Sequence, residues 1–403
     1  MNVYKPMDKA SNFILSDENS YDFIIAGAGC AGLSLLHAIL NAPKLSAKRI
    51  LIVDKSFQKS NDRTWCFWEN QAGEFETLVC KSWDKISIHK QSFNKVLTTA
   101  PFSYKMLQGL DFYNHIINFA STFKNVTWVT ATVESIEEQG GKGIVHWKDG
   151  AAVAEYVFSS LLPLDSLYAI SQSHSTTPFL WQHFKGQLIQ FENLVFDDTV
   201  ARLMDFNVDQ KEATGFMYVL PLDSRTALFE YTLFSSQILN EAAYDMEIAT
   251  YLQNNHTAET FTILHEEKGA IPMTSMTFER SKAPIYVIGT LGNAVKASTG
   301  YAFQFIQKQV AQIVDSLLKG EKINTEVHQS RHAFYDAVLL YILKNNLMEG
   351  SEIFKRIFAK NKAATIFKFL SNTSDLWEDI KIMRSLPTRI FLPAAIKVLL
   401  RRS

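Results

Sequence analysis

YDFIIAGAGCAGLSLLHAIL, residues 21–40, is followed by a short polar linker and by RILIVDK, residues 49–55. A β-branched run leads into a glycine-rich turn, an amphipathic helix follows, and a second apolar run ends on an acid. This order of strand, G-x-G-x-x-G turn, helix, strand and acid is typical of a βαβ unit that binds a dinucleotide. A glycine turn alone arises at many strand–helix junctions, so the complete order favours the dinucleotide interpretation.

The residues of this turn have separate tasks in the dinucleotide-binding pattern. Gly27 permits the tight turn, Gly29 lets the backbone approach a pyrophosphate, and Gly32 allows the helix to pack closely on the strand. Ala28 lies between the first two glycines, where the helix N-terminus presents unpaired N–H groups to an anion. Asp54, 22 residues after Gly32, is predicted to accept a hydrogen bond from a ribose hydroxyl. We expect all five residues to contact the cofactor.

The 403 residues have the composition of a globular protein with a sizeable core, with 47% hydrophobic and 20% charged residues. Residues 1–20 lack a basic start followed by an apolar run, so we expect a cytoplasmic protein without a secretory signal peptide. The three cysteines, Cys30, Cys66 and Cys80, show neither C-x-x-C spacing nor a histidine cluster nearby. Reduced thiols and no metal site are therefore expected.

The net charge of −1 is unevenly distributed along the chain. Residues 353–403 contain 11 lysines and arginines against three acids, a net charge of +8, which leaves −9 for residues 1–352. Basic and apolar residues together suit an anionic lipid surface, and a core-packed helical cap with a solvated basic face is the alternative. No apolar run reaches the ~18 residues that span a bilayer. Nucleic acid is not expected as a partner, because the basic residues lack a recognition motif.

Changes of pattern predict further elements after the βαβ unit. An aromatic-rich segment resembles neither strand nor crossover helix of that unit, and a helical stretch follows near residues 104–122. Alternating runs with a turn at Asp149-Gly150 indicate a short antiparallel meander. Residues 186–235 predict a second, mainly antiparallel sheet, in which a tight turn at Asp223-Ser224 joins the last two strands. A helix is predicted at residues 240–254, and residues after 325 are predicted to be helical with short breaks.

A second glycine-rich turn follows the buried strand predicted at Ile285–Ile288. It can return to the first domain and complete a ligand site there. This layout resembles the flavoprotein hydroxylases and monooxygenases, which favours FAD over NAD. Many such proteins have an acid directly after the first glycine of this turn, but Thr290 follows Gly289 here. We therefore expect the flavin contacts to come from backbone N–H groups around the residues Gly289, Gly292, Thr299 and Gly300.

The predicted fold is of the α/β class, with a Rossmann-type FAD-binding domain interrupted by a mainly antiparallel substrate domain and followed by a helical C-terminal region. The FAD-binding domain is assigned to residues 20–60, 105–165 and 270–320, and the substrate domain to residues 61–104 and 166–269. Residues 321–403 form the helical region, which is a candidate for membrane contact.

Six short segments together resemble the lycopene cyclase family of carotenoid biosynthesis, and they extend over most of the chain. In order they are NDRTWCFW at 61–68, MDF at 204–206, FMYVLP at 216–221, ALFEYT at 227–232, GAIPM at 269–273 and STGYAF at 298–303. Each segment is short, but six in the family's order around a dinucleotide-binding pattern are hard to obtain by chance.

The resemblance implies an FAD-containing, membrane-associated cyclase that converts the open ends of lycopene, or of a related acyclic carotenoid, into β-ionone rings. It also implies a reaction without net redox change that nevertheless requires reduced FAD, with NAD(P)H as the electron donor. An acid must protonate the terminal double bond, a neighbouring double bond must attack the carbocation, and a base must remove a proton. Such a site needs groups that stabilise a cation and an apolar cavity that excludes water.

The resemblance identifies Glu230 as the catalytic acid, within LFEYT at residues 228–232. The family more often has a second acid directly after the first, whereas Tyr231 stands here, so the role of a paired carboxylate is open. Burial in an apolar cavity would raise the pKa of Glu230 and keep it protonated near neutral pH. The strand pattern alone favours a glutamate on the wetter face. It also stays open whether Glu230 donates the proton itself or supports a cation that flavin chemistry creates.

Other candidates come from the same matched segments. The candidate substrate residues are Trp65, Phe67, Trp68, Asp205, Tyr218 and Tyr301, of which the aromatic ones would line a polyene tunnel. Core packing is the alternative for the aromatic residues, and a strand-end acid for Asp205. Arg63 is a candidate contact of the FAD pyrophosphate or isoalloxazine edge, and a surface ion pair is its alternative. The competing functions are an FAD-dependent isoprenoid reductase or monooxygenase and a non-catalytic carotenoid or flavin carrier.

Overall fold

The computed structural model describes residues 19–402, apart from 163, 173–176, 211–212, 257–258, 277 and 279–280. The strands of this part are β1 (Ser20–Ala26), β2 (Ile50–Asp54), β3 (Thr64–Glu69), β4 (Val79–Trp83), β5 (Lys85–Lys90), β6 (Phe93–Thr98), β7 (Ser103–Gln108), β8 (Val126–Thr130), β9 (Val133–Gln139), β10 (Lys142–Trp147), β11 (Gly150–Ser159), β12 (Phe179–Phe191), β13 (Val200–Asp205), β14 (Thr214–Pro221), β15 (Thr226–Ser235), β16 (Phe261–Thr274) and β17 (Ile285–Val287). The helices are α1 (Cys30–Leu40), α2 (Gly109–Ala120), α3 (Leu164–Ser171), α4 (Glu241–Asn255), α5 (Phe303–Lys319), α6 (Ser330–Lys344), α7 (Gly350–Lys360), α8 (Ala363–Leu370), α9 (Leu376–Arg384) and α10 (Thr388–Arg402). The α/β class predicted from the sequence is confirmed.

The first sheet contains the βαβ unit of the N-terminal region. Its described strands follow the order β8-β2-β1-β11-β10-β9, and β17 pairs with β11. Strands β8, β2, β1, β11 and β17 are parallel, whereas β9 and β10 extend the sheet as antiparallel strands. Helices α1, α2 and α5 share one hydrophobic core with this sheet. Because β17 joins it, the late glycine-rich turn returns to the sheet that contains β1 and the first glycine-rich turn.

The second sheet is larger and mainly antiparallel, with the described order β16-β12-β15-β14-β13-β5-β6. Only the pair β13–β5 is parallel among the described strand pairs of this sheet. One face packs against α4, and the other packs against helices α6, α7, α8, α9 and α10. The two faces therefore belong to different cores, and the face on which a side chain lies determines its surroundings.

A small third sheet, β3-β7-β4, lies between the two main cores. Side chains alternate along β3, so Phe67 enters the core of the first sheet and Trp68 enters the core of the second. The prediction of a helix from residue 104 is wrong at its start, because Ser103–Gln108 forms β7 and the helix begins at Gly109. Tyr104 is fully buried there, between β3 and β4. Pairing on both sides holds the segment as a strand.

The predicted second sheet and helical end are largely confirmed in the described residues. Strand β12 begins at Phe179, earlier than predicted, and β16 was not predicted. Residues after Ser330 form helices, as expected. The strongest breaks are predicted at Pro387 and Pro393: Pro387 lies between α9 and α10, whereas Pro393 lies inside α10. None of the described helices combines the length and the hydropathy that a membrane-spanning helix needs. The boundaries of the domains stay a prediction.

Candidate active site

The glycine-rich turn lies between β1 and the N-terminus of α1. Gly27 has φ of +102°, and a Cβ atom there would lie 2.5 Å from the hydroxyl oxygen of Ser160. A Cβ atom at Gly32 would overlap the carbonyl oxygen of Gly27, so helix and turn are in direct contact. Around Gly29, by contrast, no described atom beyond its two chain neighbours lies within 4 Å of a built Cβ. Backbone geometry and packing explain two of the glycines, and the third borders open space at the helix N-terminus.

Asp54 closes this turn from the end of β2. Its Oδ2 accepts a hydrogen bond from the amide of Ala28 at 2.6 Å. Its Oδ1 accepts from the amide of Ser56 at 2.9 Å and from Nζ of Lys59 at 3.2 Å. A carboxylate offers about four lone-pair sites. The bonds therefore fix the carboxylate beside the turn and leave capacity for the predicted ribose contact.

The second glycine-rich turn lies against the first turn of α1. A Cβ atom at Gly289 would lie 2.9 Å from the Cβ of Ala31. The amide of Gly289 donates to Oε1 of Gln309 at 2.8 Å, and Nε2 of the same side chain donates to the carbonyl of Gly292 at 2.8 Å. Gln309 on α5 therefore holds this turn in place, and the two glycine-rich turns lie side by side.

The segment after this turn corrects one sequence prediction. The amides of Thr299 and Gly300 both donate to the carbonyl of Lys296, at 3.1 and 2.8 Å, so they are engaged within the turn. The polar group that remains is the hydroxyl of Thr299, which is buried and has no hydrogen-bond partner among the described residues. The same holds for Oε1 of Gln182, whose side chain packs against Gly300. Buried polar atoms without partners are the kind that a bound ligand satisfies.

Arg63 forms the ion pair that was the alternative to a cofactor contact. Its guanidinium donates to the carboxylate of Asp62 at 2.6 Å, and about half of its side chain is exposed. It also interacts electrostatically with Cys30, the first residue of α1, and with Tyr113. The arginine therefore forms an ion pair and lies close to the glycine-rich turn. Its contact with a cofactor stays a prediction.

The aromatic candidates divide between the two cores. Trp68 stacks on Phe367 with ring centroids 4.4 Å apart and meets Tyr301 edge-on at 4.6 Å. Phe67 points to the other side of β3 and stacks on Phe303 at 4.7 Å. Trp65 packs in the same core as Phe67. The structure thus places Trp68 and Tyr301 on the side of the second sheet, and the other two in the core of the first sheet, where both contact Phe303 of α5.

Asp205 lies on the opposite face of the second sheet from Glu230. Asp205 is paired with Met217, and Met217 is opposite Tyr231, so these three side chains point to one face. Glu230 comes directly before Tyr231 in β15 and therefore points to the other face. Oδ2 of Asp205 accepts hydrogen bonds from the hydroxyl of Tyr251 at 2.7 Å and from Arg202 at 3.1 Å. Because Tyr251 belongs to α4, these bonds attach that helix to the sheet. The expectation that Asp205 belongs to the substrate site is therefore corrected.

Glu230 lies in the middle of a row that crosses four strands. Tyr218 on β14, Glu230 on β15, Gly186 on β12 and Glu267 on β16 are directly opposite one another. Residues directly opposite in antiparallel strands point to the same face of a sheet. This is the face that packs against the C-terminal helices and Trp68. The structure therefore brings together Glu230, Tyr218 and a second glutamate that the sequence prediction had missed.

The surroundings of Glu230 favour its protonated form. Burial raises the pKa of Glu230 to about 8, and the carboxyl group of Glu267 acts in the same direction. The hydroxyl of Thr232 donates to Oε1 of Glu230 at 2.9 Å and lowers the pKa in part. Burial also raises the pKa of the nearby groups Cys66, Tyr218 and Tyr301, so these stay uncharged. Apart from Glu267, these neighbours of Glu230 are therefore neutral and mostly aromatic at neutral pH.

Glu267 has a more polar environment than Glu230. The hydroxyl of Thr64 donates to its Oε2 at 2.7 Å. Burial raises the pKa of Glu267, while Thr64, His265 and Arg63 lower it. In the sequence, the signal that could have identified Glu267 is its position two residues before the matched segment GAIPM. The strand was missed because residues 261–266 are mostly exposed and show no apolar alternation. No cluster of three potential metal ligands occurs in the part of the chain that the structure describes.

Comparison with known proteins shows the same resemblance along the sequence. The family model described as lycopene cyclase protein matches residues 22–395. The lycopene beta-cyclase of Pantoea ananas is 25% identical over 264 residues. That match covers 63% of this chain and 63% of the relative, so it spans less than two thirds of the relative's length.

Solved structures show the fold at much lower sequence identity. The HpxO protein of Klebsiella pneumoniae, complexed with FAD, has a TM-score of 0.62 at 12% identity and covers 88% of this chain and 98% of its own. A geranylgeranyl bacteriochlorophyll reductase-like protein of Thermoplasma acidophilum has a TM-score of 0.56 at 12% identity, covering 95% and 99%. A flavoprotein/dehydrogenase of Cytophaga hutchinsonii has a TM-score of 0.57 at 13% identity, covering 95% and 100%. The architecture is that of flavoproteins, and since the family model matches residues 22–395, the chain belongs to the lycopene cyclase family.

Proposed function

We propose that this protein is a β-cyclase that converts the acyclic ends of lycopene, or of a related carotenoid, into β-ionone rings without net redox change. The observation that carries the proposal is the buried carboxyl group of Glu230 on a sheet face lined by apolar and aromatic side chains, where burial raises its pKa to about 8. Membership of the lycopene cyclase family and the name of the Pantoea ananas relative support the class of substrate.

Glu230 is the proton donor in this proposal. Its carboxyl group gives a proton to the terminal double bond of the polyene, and the neighbouring double bond attacks the tertiary carbocation to close the ring. A base then removes one proton, so the proton count of substrate and product is equal. The ring faces of Trp68, Tyr218 and Tyr301 stabilise the positive charge, and the closed apolar surroundings keep water from quenching it.

FAD is the proposed cofactor, and several features of the two turns fit it. The N-terminus of α1 would bind the pyrophosphate beside Gly29, and Asp54 would bind a ribose hydroxyl. The unpartnered Thr299 hydroxyl and Gln182 carbonyl would contact the flavin, close to Gly300. When bound and reduced by NAD(P)H, FAD would supply an electron-rich ring system beside the developing carbocation.

Expression in a bacterial strain that accumulates lycopene tests the proposed activity. We expect γ-carotene or β-carotene of unchanged mass, detected by chromatography and mass spectrometry of the pigments. A gain of two hydrogens would instead identify an isoprenoid reductase, and a gain of one oxygen a monooxygenase. Unchanged lycopene with well-expressed, flavin-loaded protein would contradict the cyclase proposal.

Peripheral attachment to a membrane on the cytoplasmic side is the proposed localisation. On α9, Leu376, Ile380 and Met383 are exposed at positions i, i+4 and i+7, and Trp377 between them is 76% exposed. On α10, the residues exposed at the same spacing are Leu392, Ile396 and Leu399. The exposed basic residues beside these two stripes are Lys381, Arg384, Arg389 and Lys397. An apolar stripe flanked by basic residues suits an anionic lipid surface.

A further inference from the structure

We propose that Glu267 is the positioning partner that shares one proton with Glu230, and that Gly186 lets the two side chains meet. The inference rests on the proposed function and concerns the same site. It supplies, from a different strand, the second acid that Tyr231 replaces in the sequence after Glu230.

Gly186 provides the space for this contact. The two glutamates lie on β15 and β16, which are separated by β12, so their backbones are about 10 Å apart at a strand spacing of about 4.8 Å. A side chain at the middle position would stand between them. A Cβ atom built on Gly186 lies 3.1 Å from Cγ and 3.5 Å from Oε1 of Glu267, and 3.2 Å from Cδ1 of Leu228. Glu267 therefore leans across the glycine toward Glu230.

Hydrogen bonding requires a proton between the two carboxyl groups. Oε2 of Glu267 accepts from Thr64, but its Oε1 is buried and receives no hydrogen bond from any donor group in the described residues. Two ionised carboxylates can only accept hydrogen bonds. If Glu230 is protonated, its O–H supplies the donor that Oε1 of Glu267 lacks. One shared proton satisfies both groups.

The neighbours determine which acid holds the proton. Glu267 faces Thr64 and Arg63 from the beginning of β3, and His265 from its own strand. These three groups act against the effect of burial and favour a negative charge on Glu267. The groups that face Glu230 are Thr232 on β15, Tyr218 on β14, Cys66 on β3, Tyr301 after the late turn, and Glu267 itself. Arg63 acts on Glu267, whereas no cation is among the groups that face Glu230, so the shared proton rests on Glu230 and the charge on Glu267.

This arrangement serves both halves of the reaction. The negative charge of Glu267 keeps Glu230 protonated at neutral pH, and it lies close to the place where the carbocation forms. Once Glu230 has given up its proton, two carboxylates face each other and their repulsion favours the uptake of a proton. The ring releases one proton in the last step, so the pair returns to its starting state.

The first test is the pH dependence of ring formation in Glu267→Gln. Without the charge of Glu267, the pKa of Glu230 falls, and the alkaline limb of the pH profile should move to lower pH by roughly 1–3 units. The acidic part of the profile should keep its activity. Glu266→Gln is the matched control, because Glu266 lies on the other face, 3.2 Å from Nζ of Lys185. An unshifted alkaline limb in Glu267→Gln would overturn the proposal.

Infrared spectroscopy of the substrate-free holoprotein gives a second readout. The carbonyl stretching band of the protonated Glu230 carboxyl group is identified by its loss in Glu230→Gln and followed as pH rises. We expect it to disappear at lower pH in Glu267→Gln than in the unsubstituted protein. Equal titration in both proteins would refute the pairing. Since no carotenoid is needed, a failure of the proposed cyclase activity would leave this result interpretable.

Gly186→Ala keeps the test decisive if Glu267→Gln does not fold. This variant retains both acids, but the added methyl group would lie 3.1 Å from Cγ of Glu267 and 3.2 Å from Cδ1 of Leu228, so both side chains must shift by a few tenths of an ångström and the contact with Glu230 is strained. The band of Glu230 should then titrate at lower pH, in the same direction as in Glu267→Gln. A band that titrates as in the unsubstituted protein would show that the two carboxyl groups do not depend on each other.

Discussion

The surroundings of Glu230 keep it protonated at pH values at which most glutamates are ionised. Its pKa is raised to about 8 by burial and by Glu267, so it is predominantly protonated at pH 7. Replacement by glutamine preserves the shape and removes the transferable proton. We expect Glu230→Gln to lose at least about 100-fold in ring formation, since general acids contribute about 10²–10⁴-fold. Pigment analysis measures the loss.

The Glu230→Gln variant should still bind flavin, because Glu230 lies on the second sheet and the glycine-rich turns adjoin the first. The ratio of flavin absorbance to protein absorbance checks this. Glu266→Gln is again the control and should form rings at the normal rate. Full activity in Glu230→Gln would remove this residue from the mechanism.

Gly29 and Gly32 are expected to respond differently to the same substitution. Gly29 has φ of −88° and open space around a built Cβ, so Gly29→Ala should fold normally. Its methyl group would occupy the space of the pyrophosphate, and flavin affinity should fall by roughly tenfold or more, about 1.4 kcal/mol. Gly32→Ala should lower thermal stability as well, because its Cβ overlaps the backbone of Gly27. Thermal unfolding and flavin titration separate the two effects, and equal behaviour would contradict the argument.

The two acids also show how far the sequence predicts the site. Glu230 was found through the segment LFEYT, which resembles the family, whereas Glu267 lies two residues outside the matched segment GAIPM. The two residues are brought together by the pairing of β12 with both β15 and β16. Such pairing depends on which strands are neighbours, and sequence periodicity does not contain that information. Gly186, which lies between them, also gave no sequence signal, because its role depends on the absence of a side chain.

At the scale of elements, α1 and β2 were predictable because their glycines, apolar runs and terminal acid all agree. Strand β7 was mistaken for helix, since six residues of mixed polarity carry little periodicity and the neighbours β3 and β4 decide their conformation. Strand β16 was missed because it lies at the edge of the sheet and its first residues are exposed. The errors fall where tertiary pairing outweighs local preference.

Helix α10 has one buried side and one exposed apolar stripe, so the role of the stripe in lipid binding can be tested by substitution. Ala394 and Val398 are buried, while the outer stripe consists of Leu392, Ile396 and Leu399. Truncation before α10 would uncover the buried side as well, so substitution is the cleaner experiment. The triple variant with glutamine at the three outer positions should fold normally and bind anionic lipid vesicles at least roughly tenfold more weakly, because apolar burial in lipid is lost.

Vesicle sedimentation measures this difference at constant ionic strength. The matched control carries glutamine at Leu194, Met246 and Leu264, which are exposed to a similar degree outside the C-terminal helices. It should bind vesicles like the unsubstituted protein. Equal binding of both triple variants would place the lipid contact elsewhere on the molecule.

At the scale of the whole molecule, a buried ion pair joins the C-terminal helices to the segment after the late glycine turn. Nζ of Lys296 lies 2.7 Å from the carboxylate of Asp336 on α6 and donates to Asn372 at 2.7 Å. Ser298 donates to the same carboxylate at 2.7 Å. Lys296 is fully buried, so salt screens this connection much less than it screens a surface ion pair. The helices and the proposed flavin contacts near Thr299 are therefore held as one unit.

Lys296→Met should destabilise the protein by about 3–5 kcal/mol, since it leaves the charge of Asp336 buried without a partner. The free energy of unfolding in urea measures the effect. The double variant Lys296→Met/Asp336→Leu removes both charges and should recover part of the loss. Equal stability of the single variant and the unsubstituted protein would show that the pair does not hold the helices in place.

The contact of Trp68 with α8 has a consequence for how the rate depends on substrate. Trp68 stacks on Phe367 and donates to Ser371 at 2.6 Å, and α8 packs against α9, which carries an exposed apolar stripe. If α9 rests on lipid, one helix separates the bilayer from the aromatic side chains near Glu230. A polyene would then pass from the bilayer to these aromatic side chains without entering water. The rate should then follow the mole fraction of lycopene in the vesicle, and diluting it with more lipid at constant total concentration should slow the enzyme.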